Sequence, residues 1–193
     1  MVTVNTYNNL DKMIVEQTQL EGCFIISPKI FRDDRGYFFE SFNKEAFKKA
    51  TGISVDFVQD NQSKSSKGVL RGLHFQTKPH EQSKLVTVTK GSVLDVCVDL
   101  RPNSETFGKH FSIVLDGTDK KQLFIPRGFA HGFLVLEDET IFSYKCDSYY
   151  NKASERGILY NDKSLNIDWR TKTVDLILSE KDSILPTFES LFV

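Results

Sequence analysis

Between Lys84 and Leu100 the chain reads KLVTVTKGSVLDVCVDL, two runs of β-branched and apolar residues joined by a single Lys-Gly break. In the second run Leu94, Val96, Val98 and Leu100 alternate with Asp95, Cys97 and Asp99, a repeat that suits a strand and not a helix. The same format recurs in HFSIVL, KQLFIP, GFLVLE and TIFSYKC, with Gly or Pro at most of the breaks. Many short strands with little helix between them predict an all-β, antiparallel sandwich or barrel. The chain has 193 residues, enough for one well-buried domain spanning 1–193, and its sixteen Phe and six Tyr suit a pleated core.

The remaining segments read as follows. NKEAFKKATG opens on a helix N-cap, Asn43, and closes at Gly52, which predicts a helix of about two turns. RDDRG is a charged turn closed by Gly36. VDFVQDNQSKSSKGVLRGLHFQ reads as strand, polar loop and strand, with the loop over Asn61 to Lys67. Residues 1–21 are expected to be an N-terminal arm ending in a strand, and the residues after Ser183 a terminal helix or strand packed on the barrel.

Composition removes several function classes. Twenty-five basic and 26 acidic residues give a net charge of -1 with no long block of one sign, so no footprint for nucleic acid or a membrane surface is present. Cys23, Cys97 and Cys146 are odd in number and widely spaced, which reads as buried, reduced thiols and neither a disulfide frame nor a metal site. The N-terminal stretch lacks a basic segment followed by an apolar one, and no run reaches transmembrane length, so the expected location is the cytoplasm.

Four histidines remain to carry chemistry: His74, His80, His110 and His131. IPRGFAHGF places Pro126, Gly128 and His131 in a P-x-G-x-x-H turn between strands, similar to the second half of the motif of small barrels of the cupin kind. A metal-binding cupin needs two imidazoles one residue apart on an earlier strand. Here that position reads His74, Phe75, Gln76, and Glu81 stands beyond Pro79, so no metal site is expected and His74 is left for proton chemistry. Arg71 on the same strand and Lys84 at the start of the next make a cationic setting suited to an anionic substrate or intermediate.

RDDRGYFFESF, FVQDNQSKSSKGVLRGLHFQ, KLVTVTKGSVLDVCVDLR, FIPRGFAHGFLVLED, YKCDSYY, SERGI, YND, IDW and LSEKD, in this order from Cys23 to Asp182, resemble the dTDP-4-dehydrorhamnose 3,5-epimerase family, metal-free cupins of deoxysugar synthesis. The resemblance implies a cupin-type antiparallel β-barrel, or jelly roll, with a few short helices and no cofactor. It implies a nucleotide-linked 4-keto-6-deoxyhexose as substrate, whose carbons 3 and 5 are inverted through an enolate. By resemblance, His74 is the base, Asp182 its orienting partner, Lys84 the cation on the enolate oxygen and Tyr144 the acid on the opposite face. Arg71 would hold the diphosphate, helped by Arg35, which with Phe38 and Glu40 reaches a partner subunit's site in this family. Gln59, Asn61, Tyr149 and Arg170 resemble nucleotide and diphosphate contacts. His131 matches a position lining the sugar pocket, and a purely structural role for it stands beside that one. Tyr160 stands where the family often has Trp, and Ser83 where Gly is usual.

The partners implied are the nucleotide sugar, with dTDP-4-keto-6-deoxyglucose favoured, and a second copy of the chain in a homodimer. Three alternatives stay open: an epimerase of carbon 3 alone, a keto-isomerase of the same fold, and a non-catalytic sugar-nucleotide-binding cupin.

Overall fold

The computed structural model describes residues 13–170 and 175–192. Thirteen strands follow one another as β1 (Met13–Gln17), β2 (Phe24–Pro28), β3 (Phe31–Asp33), β4 (Gly36–Phe38), β5 (Gln59–Ser65), β6 (Leu70–Gln76), β7 (Lys84–Lys90), β8 (Ser92–Asp99), β9 (His110–Asp116), β10 (Gln122–Ile125), β11 (Phe129–Val135), β12 (Thr140–Cys146) and β13 (Glu155–Gly157). Among the described residues three short α-helices, α1 (Lys44–Thr51), α2 (Glu180–Ser183) and α3 (Phe188–Phe192), and one 3-10 turn (Lys152–Ser154) accompany them. One sheet has the order β1-β2-β10-β7-β12-β5 and the other β13-β6-β11-β8-β9, with β3-β4 standing apart as a two-stranded hairpin. Every pairing within these sheets is antiparallel, the jelly-roll architecture that the strand rhythm and the resemblance led us to expect.

The two sheets face each other across a core that includes Val86 and Val88 of β7, Val93 of β8, Leu123 of β10 and Phe142 of β12. The outer face of the larger sheet is covered by α1, whose Phe47 is fully buried with its ring centroid 5.0 Å from that of Phe124. This helix forms where its sequence signals placed it: Asn43 accepts a hydrogen bond from the Ala46 amide at 3.0 Å, and Gly52 closes it at φ 75°, a left-handed conformation that glycine adopts without steric cost. The outer face of the smaller sheet is covered by the chain's last third, which brings Leu165, Trp169 and Phe188 onto Leu70, Leu94 and Val98. The alternation in β8 therefore separates two buried faces and not a dry one from a wet one. All eight of its residues are buried, Asp95 and Asp99 included.

Three expectations require correction. The stretch read as a loop from Asn61 to Lys67 is largely strand β5, and the preceding VDFV is irregular. β5 is polar because it is an edge strand, paired among the described residues only with β12, so its outward residues stay wet. His131 lies within β11 and not in the turn before it. Residues 13–21 end the arm in a strand, as expected, but they belong to the barrel itself: β1 pairs along its whole length with β2, Val15 is buried and Leu20 is fully buried in the inter-sheet core. The rest of the predicted arm, 1–12, lies outside the described residues.

Candidate active site

β6 and β7 belong to different sheets, so His74 and Lys84 do not stand side by side on one surface, as successive strands of one sheet would place them. They meet across a cavity of about 380 Å³ at one end of the barrel. The smaller sheet supplies Arg71 and His74 from β6 and His131 and Phe133 from β11; the larger supplies Lys84 from β7, Tyr144 from β12 and Asn61 from β5. The α2 segment closes one side with Ser179, Lys181 and Asp182.

A regular strand would send Arg71 and His74, three residues apart, to opposite faces. The ladder between β6 and β11 shifts register here: His131 pairs with His74, whereas Phe133 pairs with Arg71. One residue is gained on β6, a bulge that turns both side chains to the cavity. The bulge depends on two facing glycines. A Cβ on Gly72 would lie 2.6 Å from both the Gly132 Cα and the His131 carbonyl oxygen, and one on Gly132 would lie 2.8 Å from the Arg71 carbonyl oxygen. Gly72 also has φ +111°, outside the range of other residues.

His74 Nε2 lies 2.6 Å from Asp182 Oδ1. Burial raises the Asp182 carboxyl, but the hydrogen bond and charge of His74, the Ser179 hydroxyl and the Gly72 amide outweigh it and hold the group below the usual carboxylate range. An ionised carboxylate only accepts, so Nε2 carries the proton of this bond and Nδ1 is the ring nitrogen left for other partners. Asp182 reaches this position through a local device. Ser179 caps α2 and accepts a hydrogen bond from the Asp182 amide at 3.1 Å, which turns the third residue of the cap back toward β6.

Burial lowers the Lys84 ammonium against the opposing pull of Cys146 and Asp95, which makes it a cation responsive to any negative charge that develops beside it. Its Nζ is 5.7 Å from the Tyr144 ring centroid. Burial raises the Tyr144 phenol and the Arg71 charge opposes this only in part, so the group holds its proton at neutral pH. His131 is buried and bonded through Nε2 to Asp95 Oδ2 at 2.9 Å. Burial lowers it, the attraction of Asp95 notwithstanding, and the charges of Lys84 and His74 act in the same direction. It is a neutral part of the cavity wall.

Of the thirteen residues named from the sequence, His74, Asp182, Lys84, Tyr144, Arg71, Asn61 and His131 line the cavity. Gln59 does not line it: it donates to Asn61 Oδ1 at 3.0 Å and accepts from the Tyr150 amide at 2.9 Å, and so supports its neighbour. Tyr149 is 69% exposed, and Arg170 is an exposed residue at φ 56° whose amide bonds Asp168 Oδ1 at 2.8 Å. Arg35, Phe38 and Glu40 lie on or just after the β3-β4 hairpin, away from their own chain's cavity, with Arg35 paired to Asp33 and Phe38 67% exposed. Sequence reasoning missed Asp95, Ser179 and Lys181. The signal for Asp95 was a carboxylate inside an apolar strand, and for Ser179 the cap pattern S-x-x-D ending on a residue already nominated.

Among the described residues no group of three or more His, Cys, Asp or Glu side chains could hold a metal ion. An imidazole ordered by a buried carboxylate, facing a half-buried cation and a protonated phenol across a cavity of this size, defines an acid–base enzyme on a jelly-roll barrel. The family model for dTDP-4-dehydrorhamnose 3,5-epimerase matches residues 17–190. The enzyme of that name from Escherichia coli (strain K12) is 52% identical over 179 residues, covering 93% of this chain and 96% of that protein. The crystal structure of dTDP-4-dehydrorhamnose 3,5-epimerase from Elizabethkingia anophelis superposes with a TM-score of 0.90 at 52% identity, over 94% of this chain and 100% of that one. That of dTDP-6-deoxy-D-glucose-3,5-epimerase from Legionella pneumophila, in complex with dTDP-4-keto-L-rhamnose, does so with 0.87 at 46% identity, over 92% and 93%. The chain belongs to the dTDP-4-dehydrorhamnose 3,5-epimerase family.

Proposed function

We propose that this protein converts dTDP-4-keto-6-deoxyglucose to dTDP-4-keto-L-rhamnose by inverting carbons 3 and 5. The observation that carries the reading is the His74–Asp182 pair on one sheet facing Tyr144 and Lys84 on the other. His74 removes the proton from the carbon beside the carbonyl, and the electron pair of that C–H bond moves onto the carbonyl oxygen to give an enolate. Lys84 stabilises this oxygen, and a cation fixed in a half-buried wall does so more effectively than one in water. The Tyr144 hydroxyl then returns a proton from the opposite side, which inverts the centre, and the imidazolium and phenolate exchange protons with solvent before the next turn. Arg71, exposed at the cavity mouth and donating to Ser65 Oγ at 3.3 Å, offers a planar fork to the diphosphate.

The cavity matches a hexose and leaves the nucleotide to the rim. Arg35, Phe38 and Glu40, which stand away from their own chain's cavity, complete the rim of a partner's cavity in a homodimer. The apolar, exposed hairpin supports this, with Phe31 at 51%, Tyr37 at 52% and Phe38 at 67% exposure. The three buried free thiols fit a cytoplasmic location, and no described helix is long and apolar enough to cross a membrane.

Turnover of dTDP-4-keto-6-deoxyglucose in heavy water tests the reading. Two solvent-derived deuterons in the product, with reduction giving the rhamno configuration, are expected. One deuteron at carbon 3 would make the protein a 3-epimerase, and none above an enzyme-free control would remove the reading.

A further inference from the structure

The β3-β4 hairpin is laddered to no other strand among the described residues, and every residue of its two strands is exposed. The chain is fixed before it at Pro28, which pairs with Met13 of β1, and after it at Ser41, whose carbonyl accepts from Gln122 Nε2 at 2.8 Å. A two-stranded ribbon anchored at its ends keeps no fixed angle to its barrel unless something grips its middle.

Tyr37 supplies the grip. It stands opposite Arg32 in the hairpin ladder, with the Arg32 guanidinium carbon 5.7 Å from its ring centroid, and Lys120 Nζ lies 4.9 Å from the same centroid. Lys120 comes from the barrel, in the turn between β9 and β10, and it is buried, with Nζ donating to the Thr89 carbonyl at 3.3 Å. The turn is braced around it. Asp116 Oδ1 accepts from the Thr118 and Asp119 amides at 2.6 and 3.0 Å, and Asp119 Oδ1 from the Lys121 amide at 2.9 Å. Lys120 itself has φ 58°, a left-handed conformation that few residues with side chains adopt. An ammonium largely removed from water gains more from an aromatic face than a hydrated one does.

We propose that Lys120 is a positioning residue for the hairpin: by gripping Tyr37 it sets the angle at which Arg35 and Phe38 leave their own barrel for the partner's cavity. Lys120 does not line the cavity of its own chain, so its effect runs through the hairpin. A hairpin that holds the reaching orientation for only a fraction of the time weakens nucleotide binding by that fraction and leaves the chemical step alone. This consequence rests on the homodimer reading; the grip itself does not.

Lys120→Met, Lys120→Arg and Tyr37→Leu proteins would be compared with wild type by amide hydrogen exchange at short labelling times, dTDP calorimetry and steady-state epimerisation. In Lys120→Met and Tyr37→Leu the peptide spanning 29–39 should exchange faster while β8 peptides keep their wild-type protection. dTDP should bind about fivefold more weakly, with KM rising in step and kcat within about twofold of wild type. Lys120→Arg, whose guanidinium also stacks on a ring, should recover most of the affinity. The Lys120→Met, Tyr37→Leu double variant should bind no more weakly than the weaker single one. Unchanged exchange at 29–39 in Lys120→Met would overturn the inference, as would faster exchange throughout the barrel or a fall in kcat at constant dTDP affinity. Sedimentation of wild type keeps the two readings apart: a monomer would count against the homodimer alone, and exchange at 29–39 would still decide the grip.

Discussion

Arg71 and His74 share one face of β6 although they stand three positions apart, because the ladder to β11 gains a residue between the His131–His74 and Phe133–Arg71 pairs. The guanidinium and the imidazole are thus placed together by a bulge that two glycines make possible.

Gly72→Ala should disrupt this arrangement. The added methyl would lie 2.6 Å from backbone atoms of β11, and backbone at φ +111° does not suit alanine. A loss of about 3 kcal/mol is expected from urea unfolding, in the range for backbone strain combined with overpacking. The surviving folded protein should turn over more slowly than its folded fraction accounts for.

Tyr144→Phe should separate proton removal from proton return. The ring stays packed beside Phe142, so the melting temperature should change little. The epimerised product should form about 10²-fold more slowly, within the range for loss of a general acid. Exchange of the substrate's own proton with solvent should persist, and nuclear magnetic resonance of substrate recovered from heavy water measures it.

Acid stability should depend on Asp99. Burial raises its carboxyl, but the Arg101 guanidinium and the Ser104 and Thr106 hydroxyls prevail and lower it to about 2. A depressed folded value means that the stabilisation is fully present above the unfolded value near ~4 and is lost as pH falls through about 2. Asp99→Asn should therefore cost about 2 kcal/mol at pH 7, and the gap from wild type should close as pH falls through this window. Chemical denaturation across pH measures both.

All three thiols should be inert in the folded protein. Cys97 is raised by its hydrogen bond to Cys23, whose sulfur lies 3.7 Å away, and by burial; burial likewise raises Cys146, to about 11. A thiol reagent should titrate none of them at neutral pH until denaturant is added, whereupon all three should react.

The strand pattern was legible because most strands announce themselves through β-branched runs closed by Gly or Pro, and α1 through its two caps. The polar strand β5 was not, because edge position and not residue type makes it a strand. The face assignment within β8 was also hidden: alternation reports two sides of a sheet, and nothing local says that the C-terminal third covers the second side. At the site, the identities of His74, Asp182, Lys84 and Tyr144 came from their motifs, and their convergence required the two sheets to face each other. Asp95 was read only as part of an alternation, since its pairing with His131 is set by strand order and not by spacing.

The role of His74 is tested most directly by the His74→Ala protein, in which dTDP affinity is measured by calorimetry and solvent-deuterium uptake into the sugar is measured alongside. Affinity within about twofold of wild type, with deuterium uptake reduced by about 10³-fold or more, is the expected result. Uptake at the wild-type rate in a variant that still binds would show that another group removes the proton, and would contradict the assignment of His74 as the base.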